Sequence, residues 1–341
     1  MDTFEEHFGT IRCGNELVLD VVGDAASAKT RLLRSVDIFE NESERPGNRP
    51  GALHDVMVAM YGVAGALTHA EALGLPENEI HELVTSVRRI SSLSPFMTRI
   101  QEWPRGYPGD FETIEYMLSQ VVYAQPATFS YFLEFNVLAS GIVQQHRNKV
   151  AAQARCIIEA IKCSSTRSPR ILVLAAGGSP DVAEALVVLE HSNAIVFLVD
   201  SDPDAIALSQ RRLDALGARL STISLNVFKA ESILKEAGPF DLIVAGGLFD
   251  YLSNMRAKAL LRTIFFSLLQ PNGILFFTNL VSQNPYRGWM RHVANWRVLE
   301  RTPDECKELV MLAGMGDVEC TISRDPTNLA LFVKCRYRGH T

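Results

Sequence analysis

Two different rhythms of apolar residues divide the chain. From residue 1 to about 162, apolar side chains recur at spacings of three and four, as in Ala25 to Phe39, Leu53 to Leu73 and Glu77 to Ile90. Such spacing buries one face of a helix. Strand-like runs are nearly absent there, which predicts an all-α segment whose final helix ends near Lys162. The stretch Cys163-Ser-Ser-Thr-Arg-Ser-Pro169 then breaks the pattern, because its proline cannot continue a helix. The expected division is therefore a helical domain over 1–162 and a second domain over 163–341.

Beyond the break the rhythm changes. Arg170 to Leu174, Ala194 to Val199, Leu220 to Leu225, Asp241 to Ala245 and Gly273 to Thr278 are short β-branched or apolar runs separated by helical patterns. Strands alternating with helices predict a parallel sheet covered on both faces, a doubly wound α/β domain. Two last runs, Asp317 to Ser323 and Leu329 to Cys335, are joined by only Arg324-Asp-Pro-Thr-Asn328. That is too short for a crossover helix, so the two strands are expected to pair antiparallel.

At 341 residues, 47% hydrophobic and 21% charged, the chain suits two packed domains and not disorder. A net charge of −6 argues against a nucleic-acid partner, whose phosphates call for clustered Lys and Arg. The start, MDTFEEHFG, is acidic where a secretory signal is basic, and no apolar stretch is long enough to span a bilayer. The expectation is a cytoplasmic protein with a small-molecule partner and no membrane; the oligomeric state is left open. Cys13, Cys156, Cys163, Cys306, Cys320 and Cys335 show no C-x-x-C pair and read as free buried thiols. His191, His292 and the other histidines have no partner at metal-ligand spacing, so no metal is expected. Glu40 to Glu44 reads as a solvated surface.

Candidate chemistry gathers where strands end. Leu174-Ala-Ala-Gly-Gly-Ser-Pro-Asp181 follows the first strand, and its small residues Ala175, Gly177 and Gly178 let a ligand approach the backbone. Without G-x-G-x-x-G, a dinucleotide is disfavoured. The second strand ends at Asp200-Ser-Asp-Pro203, where Asp200 is placed to accept hydrogen bonds from ribose hydroxyls, while Asp202 suits a helix cap. Asn226 and Phe228 after the third strand could edge and stack a purine. Gly246 and Gly247 after the fourth leave room for a ligand.

Several segments carry a resemblance: Gly247-Leu-Phe-Asp-Tyr-Leu252, Arg105-Gly-Tyr-Pro-Gly-Asp-Phe111, His146-Arg-Asn-Lys149, and Asn284-Pro-Tyr-Arg-Gly-Trp-Met290 with Trp296 and Arg301. Together, over roughly residues 103 to 340, they resemble one branch of the S-adenosylmethionine (SAM)-dependent methyltransferases, which includes the enzymes making the 3-hydroxypalmitic acid methyl ester extracellular factor. Five βα units closed by a hairpin is also the class I methyltransferase layout. The resemblance implies a Rossmann-like SAM-binding sheet with a C-terminal antiparallel hairpin, preceded by an all-α N-terminal lid and substrate domain. Where that branch has Gly-Cys-Gly, this chain has Ala175-Ala-Gly177, and an alanine methyl there alters how the aminocarboxypropyl arm of SAM lies.

The implied role is a transferase of secondary metabolism acting by displacement at the sulfonium of SAM, with methyl transfer to a small acceptor such as a carboxylate. Two alternatives stand beside it. One is cyclisation of SAM to azetidine-2-carboxylate with release of 5′-methylthioadenosine, as in the azetidine synthases of this fold. The other is a non-catalytic SAM-binding module. Trp103 to Asn136 is rich in aromatic residues, most of which suit a core, although a sulfonium is drawn to aromatic faces. Tyr107 is the preferred pocket residue, with Asn136 and Ser201 as further groups that would orient the nucleophile and Arg147 beside the cofactor.

Overall fold

The computed structural model describes residues 10–13, 16–19, 23–164, 166–314 and 318–339. The acidic start, residues 1–9, and Asp317 lie outside the described residues. Along the chain, β1 (Thr10–Cys13) and β2 (Glu16–Leu19) precede α1 (Ala25–Ser43), α2 (Ala52–Ala72), α3 (Glu77–Leu83), α4 (Thr85–Ser91), α5 (Pro95–Glu102), α6 (Phe111–Ser119), α7 (Phe129–Ala139) and α8 (Gly141–Cys163). Then follow β3 (Arg170–Leu174), α9 (Pro180–Glu184), α10 (Leu186–Glu190), β4 (Ile195–Asp200), α11 (Pro203–Arg212), β5 (Leu220–Ser224) and α12 (Glu231–Ala237). The chain closes with β6 (Phe240–Ala245), α13 (Asn254–Thr263), β7 (Leu269–Leu280), α14 (Pro303–Gly314), β8 (Val318–Arg324) and β9 (Ala330–Tyr337). Among the described residues no helix is long and apolar enough to cross a membrane.

Two compact units result: residues 1–109, 121–138 and 285–297 form one, and residues 110–120, 139–284 and 298–341 the other. The chain thus does not divide at residue 162 as the sequence suggests. The reason lies in α8, whose Ala152, Cys156 and Ile157 join the core formed by Ile171, Val173, Leu242 and Val244 of the sheet.

In the first unit the three-and-four spacing works as expected: α1 buries Leu32, Val36 and Phe39, and α2 buries Val56, Met60, Val63 and Leu67. The helix expected over 77–90 is instead two, broken at Val84 (φ −103°, ψ 12°). There the Thr85 hydroxyl donates to the His81 carbonyl at 3.0 Å, a back-bond that bends helices. A further departure is the antiparallel pair β1 and β2, two short strands in a half of the chain whose spacing predicts helices. Glu40 to Glu44 is not wholly solvated either. Glu42 is buried and holds Arg45 at 2.9 Å and Arg49, since a buried carboxylate needs such partners.

In the second unit the sheet order is β5-β4-β3-β6-β7-β9-β8, with β9 antiparallel to both neighbours. Alternation along each strand feeds two cores. Leu172, Leu174, Ile243 and Ala245 face α12, α13 and α14, whereas Ile171, Val173, Leu242 and Val244 face α8 to α11. Burial on both faces is why these strands read as unbroken apolar runs. The expected free thiols are found at five positions, but Cys163 is exposed and Cys320 only half-buried. Cys163 sits at the last turn of α8, and Cys320 on the edge strand packs only at the margin of the core that α14 covers.

Candidate functional site at the carboxyl edge of the sheet

Five parallel strands end along one edge of the second unit, with Leu174 in register with Val199, Asp200 with Ser224, and Ala245 with Phe277. Strand order reverses between β3 and β6, and at such a switch point the connections leave on opposite faces and open a crevice. This edge brings together Ala175, Gly177 and Gly178 after β3, Asp200 and Ser201 after β4, Asn226 and Phe228 after β5, and Gly246 and Gly247 after β6.

The loop after β3 is tightly specified. Ala175, Gly177 and Ser179 take φ of +52°, +54° and +51°, a left-handed backbone that costs a non-glycine residue about 1–2 kcal/mol. Hydrogen bonds hold it there. Gly177 donates its N–H to Asp200 Oδ2 at 2.8 Å and accepts at its carbonyl from Ser209 Oγ at 2.8 Å. Arg212 donates to the Gly178 carbonyl at 2.6 Å and also grips Glu115 of α6 through two bonds of 2.8 Å. Glu115 and Arg212 lie 97 positions apart, and no sequence pattern joins them. A Cβ at Gly178 would come within 2.5 Å of Glu115 Oε1 and 2.8 Å of Leu208 Cδ2. Gly178→Ala is therefore expected to destabilise the protein by about 1–3 kcal/mol, read from urea unfolding; an unchanged midpoint would show that the loop gives way easily.

Asp200 is 8% exposed. Burial raises its carboxyl above the ordinary carboxylate range, opposed by hydrogen bonds from the N–H groups of Asp202 and Gly177. Ser201 beside it is exposed. Asp202 caps α11, its Oδ1 accepting from Asp204 N at 2.9 Å, as its place before Pro203 suggests. Asn226 and Phe228 are both exposed, and the Asn226 carboxamide oxygen accepts from Phe228 N at 3.1 Å, which folds the turn. A side chain at Gly247 would meet open space, whereas one at Gly246 would strike Gln153 of α8.

Behind the edge lies a charge the sequence did not flag as structural. Lys149 and Asp250, 3% and 5% exposed, pair at 3.0 Å, while Asp250 Oδ1 accepts from Leu280 N at 2.7 Å. Arg301 donates to the carbonyls of Phe249 and Leu252 and to the side chains of Asn279 and Asn254. Much of Gly247 to Leu252 is thus held from beneath. Arg147 bonds Gln144 Oε1 at 2.7 Å and the Met117 carbonyl at 3.1 Å, tying α8 to α6. Burial, with Lys149 and Arg147 nearby, holds the His146 imidazole well below its ordinary range.

Asp181, just inside α9, is buried and its Oδ2 has no hydrogen-bond partner among the described residues. Burial pushes its carboxyl from 3.8 to about 6. The folded state therefore holds this proton more tightly than the unfolded chain, so its contribution is fully present below pH 4 and lost as pH rises through about 6. That difference amounts to about 3 kcal/mol at neutral pH. Asp181→Asn is expected to exceed the parent in stability at pH 7.5 and to match it near pH 4. Parallel unfolding curves at both pH values would remove Asp181 from this role.

Tyr107 and Asn136 belong to the helical unit. Tyr107 is 38% exposed, and Asn136 is buried with its amide 3.4 Å from the Leu53 carbonyl. Of the aromatic stretch, Phe111 and Phe129 are buried, while Tyr123 and Phe135 are exposed. Trp289 packs on Phe39 at 6.0 Å.

No protein-family model matches the chain, and no curated protein matches it. Among solved structures, a candidate exported protein of Bordetella parapertussis is 14% identical, with 93% of this chain and 98% of that chain covered and a TM-score of 0.54. A proposed methyltransferase of Thermobifida fusca YX is 18% identical, with 70% of this chain and 100% of that chain covered and a TM-score of 0.52. The fold is that of a class I methyltransferase. In this methyltransferase fold the glycine loop, Asp200 and the β6 glycines occupy the carboxyl edge, and the antiparallel β9 closes the sheet as the hairpin pattern predicts.

Proposed function

We propose that the chain binds SAM at the carboxyl edge of β3 and β4 and directs displacement at its sulfonium, transferring the methyl group to a small acceptor such as a carboxylate in secondary metabolism. The reading places the protein beside the methyltransferases of the 3-hydroxypalmitic acid methyl ester branch. The observation that supports it most is Asp200, a carboxylate fixed against the left-handed loop after β3 by the N–H groups of Gly177 and Asp202. A carboxylate offers about four acceptor positions. Gly177 uses one on Oδ2 and Asp202 one on Oδ1, and the Ser201 N–H also acts on the carboxylate, which leaves acceptor capacity for a ribose hydroxyl. Exposed Phe228 and Asn226 present a ring face and an amide edge suited to a purine.

SAM supplies an electrophilic methyl group on a sulfonium. The residues of this chain bind and align. An acceptor carboxylate is already nucleophilic at neutral pH, so positioning and exclusion of water can supply the rate without a dedicated base. The Ala175 methyl occupies the place where the resembled branch has glycine. Ala175→Gly is expected to stabilise the fold by up to about 1 kcal/mol, because the left-handed strain exceeds the added freedom of the unfolded chain. Thermal unfolding checks this.

The test of function is incubation of the purified full chain with SAM, alone and with a panel of small carboxylic acids, with products identified by mass spectrometry. S-adenosylhomocysteine formed with an acceptor supports methyl transfer. Methylthioadenosine formed from SAM alone would replace the proposal with cyclisation to azetidine-2-carboxylate. Calorimetric binding with SAM left intact would make the chain a SAM-binding module, and no binding would overturn the reading.

A further inference from the structure

Away from this edge, the closing hairpin holds two cysteines face to face. Cys320 on β8 and Cys335 on β9 are directly opposed in the antiparallel register, and Cys335 Sγ donates to Cys320 Sγ at 3.7 Å. Opposed residues of an antiparallel pair have Cα atoms about 4.5–5.5 Å apart, inside the range of about 4.4–6.8 Å that a disulfide spans. No backbone movement is needed to join them. Side-chain rotation suffices to bring the sulfurs from contact to bonding distance.

The two thiols differ in a way that gives each a task. Cys335 is fully buried in the core beneath α14, whereas Cys320 is half-buried at the margin of that core on the edge strand. An oxidant from solution can therefore reach Cys320 first. The hydrogen bond from Cys335 stabilises a thiolate at Cys320, and the Lys307 ammonium acts in the same direction. Cys306 of α14 is buried in the same core, but it is Cys335, not Cys306, that stands opposite Cys320 in the strand register with its sulfur in contact.

We propose that Cys320 and Cys335 form a reversible dithiol–disulfide site that reacts with small-molecule disulfides. The Cys320 thiolate attacks one sulfur of the oxidant, forming a mixed disulfide and expelling one thiolate. Cys335 then gives up its proton to that departing thiolate and attacks Cys320 Sγ. The mixed disulfide breaks, the second small thiol leaves with a solvent proton, and the Cys320–Cys335 bond forms. Two protein sulfurs are oxidised and two oxidant sulfurs are reduced. The product covalently ties the edge strand β8 to β9, next to the antiparallel closure of the sheet.

The experiment treats the full chain with oxidised glutathione under native conditions, blocks remaining thiols with iodoacetamide, and maps tryptic peptides without reduction. Cleavage at Lys307, Arg324, Lys334 and Arg336 places Cys320 in peptide 308–324 and Cys335 in peptide 335–336. The expected product links these two peptides, the intact protein loses two hydrogens, and dithiothreitol reverses both changes. Cys320→Ser should abolish the link, Cys306→Ser should keep it, and Cys335→Ser should arrest the reaction with one glutathione on Cys320. The oxidised parent should also unfold at a higher temperature than the reduced one, a shift absent in Cys320→Ser. A parent chain whose Cys320 is alkylated or stably glutathionylated with no linked peptide, or whose link runs to Cys306, would overturn the proposal.

Discussion

Lys149→Met is expected to lower the free energy of unfolding by about 3–5 kcal/mol, the penalty for leaving a buried charge without its partner. Lys149 and Asp250 are both almost wholly buried and pair at 3.0 Å. Removing the ammonium leaves the Asp250 carboxylate with the Leu280 N–H as its remaining strong donor among the described contacts. The same substitution loosens the turn Leu248–Tyr251, so binding at the carboxyl edge should weaken along with stability. Urea unfolding followed by circular dichroism measures the first effect. A loss below about 1 kcal/mol would show that Asp250 takes up a proton or finds water, and that the pair is dispensable.

Asp200→Asn should reduce SAM affinity by roughly ten- to a hundredfold, the equivalent of one charge-assisted hydrogen bond of about 1.5–3 kcal/mol. The loop complicates a simple deletion. Asp200→Ala would orphan the N–H groups of both Gly177 and Asp202, and each unsatisfied donor costs about 1–3 kcal/mol of stability. The asparagine variant keeps the volume and one acceptor, so its fold should survive to be tested. Calorimetry gives the affinity and thermal unfolding the stability. An asparagine variant that binds SAM like the parent would dismiss Asp200 as the ribose ligand and leave it as a brace for the loop.

The central strands β3, β4 and β6 were legible because burial on both faces writes them as nearly continuous apolar runs, and the final hairpin because five residues cannot hold a crossover. Helix placement was legible where Leu32, Val36 and Phe39 repeat on one face. The unit boundary was not, since α8 looks like any amphipathic helix and only contact with Ile171 and Val173 reveals which core it serves. At the site, the glycines, Asp200 and Asp202 announce themselves by their place after strands. Glu115, Arg212 and Gln153 do not, because each acts on a loop far away in sequence. The motif residues Asp110 and Arg301 stood out by resemblance alone. Asp110 proves to cap α6 through Thr113 N at 2.9 Å, and Arg301 to crosslink carbonyls, roles that a motif does not disclose.

The sheet also has an outer rim, and its composition bears on how copies of this protein behave when crowded. A seven-residue edge strand such as β8 offers open ladder groups to which a neighbour's strand could add. Glu319, Thr321, Ser323 and Arg324 are all exposed along it, and Glu319 pairs with Arg338 at 3.5 Å. A docking strand would have to strip water from these charges and hydroxyls before its backbone could engage. Charges and hydroxyls on such a rim disfavour strand addition, so replacing Glu319 and Arg324 with valine is expected to raise aggregation, read from light scattering.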